Sequence, residues 1–70
     1  MIVYKRNLEI EDVENLSSDE ELIYYLDEEI AFAIIKIKDR YVVRKKGIIT
    51  NEKIDEKELH DIGEVIEFCR

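Results

Sequence analysis

The chain has 70 residues, a length that suits one domain (1–70) and leaves no room for a second. Its apolar fraction of 46%, with twelve Ile, five Val and five Leu, belongs to a folding chain rather than a disordered one, and no apolar run approaches the about 20 residues of a membrane-spanning helix. Eighteen acids against eleven bases give a formal net charge of −7, which disfavours a polyanionic partner except at a local basic patch.

The absence of Gln and Pro, with heavy use of Ile, Glu and Lys, resembles compositions that rely on surface ion-pair networks at high temperature. The single cysteine, Cys69, has no internal partner for a disulfide, which points to a reducing compartment. The opening residues meet charge after three apolar side chains, unlike a leader peptide. A cytoplasmic location, with no membrane association, is the expectation.

Taken in chain order, Ile2, Tyr4, Leu8 and Ile10 share one parity, with Arg6 interrupting, and predict a first strand with a bulge near residues 5–7. Ser18 and Glu21 then form a capping-box pattern, and Leu22, Ile23, Leu26 and Ile30 gather on one helical face. A helix is expected there, with an acidic outer face. Ala33, Ile35 and Ile37, followed by Tyr41 and Val43, alternate as strands around a turn at Lys38-Asp39-Arg40. A three-residue loop pairs Ile37 with Tyr41 and Ile35 with Val43, placing Lys36, Arg44 and Lys46 together on the opposite face.

A second capping pattern, Asp55 with Glu58 and an Ile54–Leu59 staple, predicts a short helix from about residue 56. Beyond it two readings stand: Gly63 ends the helix and frees a strand over 64–69, which the β-favouring Val65, Ile66 and Phe68 prefer, or Leu59, Ile62, Ile66 and Cys69 continue one helical stripe. The expected fold is therefore α+β, a small antiparallel sheet of three or four strands with one or two helices on one face, in the order βαββαβ or βαββα.

The chemistry-bearing signals are few. Two glycines, Gly47 and Gly63, are too far apart for a phosphate-cradling loop, and His60 and Cys69 alone fall short of a zinc ligand set. No catalytic residue, metal or cofactor is expected. A Cys69–His60 nucleophile and base is the most distant of three readings, because a terminal Cys on an apolar stripe ordinarily packs.

Charge distribution is more particular. Residues 9–29 hold ten acids and no base, whereas residues 36–46 hold six bases and one acid. The leading reading is a small acidic, non-enzymatic binding or regulatory protein that meets a basic protein partner through Asp19, Glu20, Glu21, Tyr24, Asp27 and Glu28, in the manner of an inhibitor whose carboxylates imitate a phosphate backbone. The alternative is a nucleic-acid binder using Lys36, Lys38, Arg40, Arg44 and Lys46. A homodimer is also expected, since a small core favours one.

Overall fold

Ile30 to Ile37 is almost wholly apolar, with four β-branched residues, and is bounded by charged turns; this is the sequence of a central strand with a neighbouring strand along each edge. In the computed structural model, which describes residues 1–70, the element order is β1 (Ile2–Lys5), α1 (Ile10–Glu14), β2 (Glu21–Tyr25), β3 (Ile30–Ile37), β4 (Arg40–Gly47), β5 (Lys53–Leu59) and α2 (Ile62–Phe68). The five strands form one sheet in sequence order, β1 pairing β2 in parallel and the remaining neighbours antiparallel. The expected three- or four-stranded antiparallel sheet is thus replaced by a five-stranded mixed one. α1 lies in the parallel crossover between β1 and β2, as parallel pairing requires a connection rather than a tight turn.

Three local expectations are overturned with it. The segment after Ser18 is β2, because a period of two lets Leu22 and Tyr24 serve one side of the sheet while Ile23 and Tyr25 serve the other. The capping chemistry falls one residue earlier and closes a turn instead of opening a helix: the Ser17 N–H donates to Glu20 at 3.0 Å, and the Ser17 hydroxyl donates to the same oxygen. Hydrogen bonding from Ser17 holds the Glu20 carboxyl below its ordinary range.

The segment from Lys53 to Leu59 is also a strand. Its alternating charges pair across to β4, where Arg44 faces Glu56, an enthalpic reward that an isolated helix lacks. Of the two C-terminal readings, the strand over 64–69 falls and a helix stands, α2, which begins at Ile62 because Leu59 belongs to β5; Val65 and the C-cap Cys69 are four residues apart and both buried. Its true cap is Asp61, whose carboxylate accepts from the Gly63 N–H at 3.0 Å.

The hairpin register differs by one residue from the expected one. A two-residue loop, Lys38-Asp39, pairs Ile37 with Arg40, Lys36 with Tyr41, Ile35 with Val42 and Ile34 with Val43. Such a shift reverses the faces of β4. The core decides the outcome: the observed register brings Tyr41 and Val43 beside Phe32 and Ile34, on the side where both helices pack. Val13 and Leu16 from the α1 region and Val65 and Cys69 from the α2 region join Leu22 in the same cluster. The Phe68 ring meets Phe32 edge-on at 5.8 Å, and the Lys57 ammonium lies 5.2 Å from the Phe68 ring centre. No helix is long and apolar enough to cross a membrane.

Candidate functional site

With α1 and α2 on one side, the other side of the sheet has no covering layer. Register places its residues in three cross-strand lines: Ile2, Glu21, Ile35, Val42 and Glu58; then Tyr4, Ile23, Ala33, Arg44 and Glu56; then Tyr25, Ala31, Lys46 and Lys53. Glu21 and Val42 apart, the strands β1 to β3 therefore contribute an apolar half and β4 with β5 a charged half. Ile2, Tyr4 and Ile37 are 51%, 61% and 46% exposed, large apolar side chains held in water on one continuous surface.

The relief of this face follows from side-chain size. Ala31 and Ala33 on the central strand leave a depression of about 340 Å³, walled by Tyr4, Ile23 and Tyr25 on one flank and reaching Lys46 on the other. The Tyr4 and Tyr25 rings are stacked, with centroids 6.2 Å apart and planes inclined by 12°. That stack stiffens the wall, since each ring restricts the rotation of its neighbour.

The charged half is largely self-compensated. The Arg44 Nε–H donates to Glu56 at 2.7 Å, and Arg40 forms a charge-assisted hydrogen bond to Glu58. The bond from Arg44 holds the Glu56 carboxyl below its ordinary range. Lys46 and Lys53 have no ion-pair partner.

The basic residues read from the sequence do not share a surface. Arg40, Arg44 and Lys46 lie on the open side, Lys36 lies with Tyr41 on the helix side, and Lys38 occupies the turn. The acidic set is likewise dispersed. Asp19 and Glu20 lie in the turn before β2, Glu21 points to the open face, and Tyr24 stacks on Phe32 at 6.1 Å on the helix side. Asp27 and Glu28 belong to the turn between β2 and β3, where the Asp27 carboxylate accepts from the Glu29 and Ile30 N–H groups, both at 2.8 Å. The acidic helical face expected over this stretch does not exist.

Cys69 is 2% exposed within the helix-side core, and burial pushes its thiol up to about 12. His60 is exposed in the turn before α2, and no hydrogen bond joins the two. The open face was missed because the sequence reading put Tyr4 and Tyr25 on unrelated elements. The one available signal was the shared parity of Ile2 with Tyr4 and of Ile23 with Tyr25. Comparison with known proteins finds no matching family model, no matching curated protein and no matching solved structure.

Proposed function

We propose that this chain is a non-enzymatic binding module that works by protein–protein contact, through the open face of its sheet. The observation that carries this reading is the placement of both helices on one side, which leaves Ile2, Tyr4, Ile23, Tyr25 and Ile35 without a covering layer. Aromatic rings beside small residues form anchor-and-socket surfaces of the kind proteins use for one another. A nucleic-acid role draws less support, because Arg40 and Arg44 already engage carboxylates and a phosphate would have to displace them.

Photocross-linking tests the reading. A benzophenone amino acid replacing Tyr4, in cells producing the full chain, is expected to give protein adducts. The same group replacing Glu64 on α2 is expected to give none. Adducts from the α2 position alone, or from neither, would overturn the assignment of this face.

A further inference from the structure

We propose that two copies of this chain join edge to edge, β1 pairing antiparallel with its own counterpart to make one continuous sheet. The surface is the outer edge of β1, so the inference is independent of what meets the open face.

The backbone supplies the first argument. Within a strand the N–H and C=O of one residue point to the same edge, and the direction alternates along the chain. The Met1 carbonyl accepts from the Glu21 N–H at 2.9 Å, so Val3 and Lys5 also face β2. Ile2 and Tyr4 therefore turn their N–H and C=O groups outward, on a strand that ends the sheet. No loop or turn of the chain bonds to either.

The opposite edge is closed to such pairing. On β5 the Asp55 carboxylate accepts from the Glu56 N–H at 2.8 Å, and residues 55–58 are charged at every position. An incoming strand would have to displace that bond and dehydrate those charges. β1 carries no such guard: Ile2, Val3 and Tyr4 are uncharged, and the register with β2 is unbroken.

Register identifies the partner. With a two-fold axis at Val3, Ile2 of each copy lies opposite the partner's Tyr4, and the two residues exchange both their hydrogen bonds. This register uses every outward group of β1. Val3 meets its own counterpart on the helix side, while on the open side Ile2 packs beside the partner's Tyr4, a β-branched and aromatic pair on each flank of the axis. No charged side chain of β1 meets its own counterpart, since Lys5 falls opposite Met1. The basic end of β1, Lys5 and Arg6, lies toward the partner's Asp19–Glu21 segment, which adjoins Met1. Arg6 has no ion-pair partner within its own chain.

Both pairs of helices then lie on one side of the joined sheet. The apolar halves of the two open faces become neighbours, enlarging that surface without covering it. A strand pair about 13 Å long is small beside the roughly 1,600 Å² of a standard interface, so the dimer is weak and reversible.

Sedimentation equilibrium of the full chain from micromolar to millimolar concentration, paired with amide hydrogen exchange read by NMR, tests the inference. The expected results are a reversible rise toward twice the 8.4 kDa chain mass and, over the same range, slowing exchange at the Tyr4 N–H. The Glu58 N–H, which the same alternation turns outward on β5, is expected to exchange at one rate throughout. Ile2→Pro deletes an outward donor that the chain's own sheet does not use, and is expected to weaken association at least tenfold. Ile2→Val keeps the donor and the β-branch and is expected to leave association unchanged; circular dichroism checks that both variants fold. A single-chain mass at millimolar concentration overturns the inference. So does a dimer whose Tyr4 N–H exchanges as freely as in the single chain, or equal association of the two variants.

Discussion

At the scale of single residues, two positions carry measurable consequences. Lys38 sits in the hairpin loop with φ of 56°, where its Cβ crowds the backbone and glycine would not. Lys38→Gly is expected to raise stability by about 0.5–1 kcal/mol, after the greater freedom of glycine in the unfolded chain offsets part of the relief. Urea denaturation with an unchanged m-value checks it. Glu56 titrates below its ordinary value when folded, owing first to the hydrogen bond from Arg44. Its contribution is therefore complete above the unfolded carboxyl value and disappears as pH falls through the lower folded one. Glu56→Gln is expected to flatten the stability profile in that acid window and to leave the profile unaltered in shape above it, as pH-dependent thermal melts would record.

At the scale of elements, legibility followed the strength of local pattern. The hairpin strands 30–37 and 40–47 could be read because β-branched residues are dense there, whereas their register could not, since residues 30–35 are apolar on both parities and a one-residue shift still yields a plausible surface. The β2 segment was misread because Leu22, Leu26 and Ile30 satisfy helical spacing as well as Leu22 and Tyr24 satisfy a strand. The β5 segment, Lys-Ile-Asp-Glu-Lys-Glu-Leu, has the composition of a solvated helix; it becomes a strand because β4 offers it cross-strand cations, information outside the segment itself. α2 was obscured by Gly63, which lies in the first turn where its cost is smaller than in a helix interior. A methyl group there would meet Asp61 Oδ1 at 3.6 Å, an ordinary contact. Gly63→Ala is accordingly expected to stabilise the fold by about 0.5–1 kcal/mol, read from the midpoint of thermal or chemical unfolding.

At the scale of the whole molecule, twelve helical residues cover one side of a five-stranded sheet and none covers the other. The candidate site is a product of that imbalance, and the imbalance was invisible in the sequence because it depends on where residues 10–30 go. Had Leu22, Leu26 and Ile30 formed a helix, Tyr25 would have lain beside a helical core instead of stacking on Tyr4. The charge asymmetry that dominates the sequence acquires a different meaning once folded: it separates a near-neutral face from an acidic remainder, so that net charge marks which surfaces can come together.

The parallel pairing of β1 has a consequence in time. Strands β2 to β5 succeed one another through short turns, so each can zip onto its predecessor by closing only a small loop. β1 must wait for the crossover through α1, and at four residues it is the shortest strand. It is therefore expected to dock last and fray first. Tyr4 travels with it, so a fraying event dismantles the stacked wall of the open face while β2 to β5 stay paired. A protein partner held against that wall would act as a latch on the edge strand, linking binding to the lifetime of the native sheet.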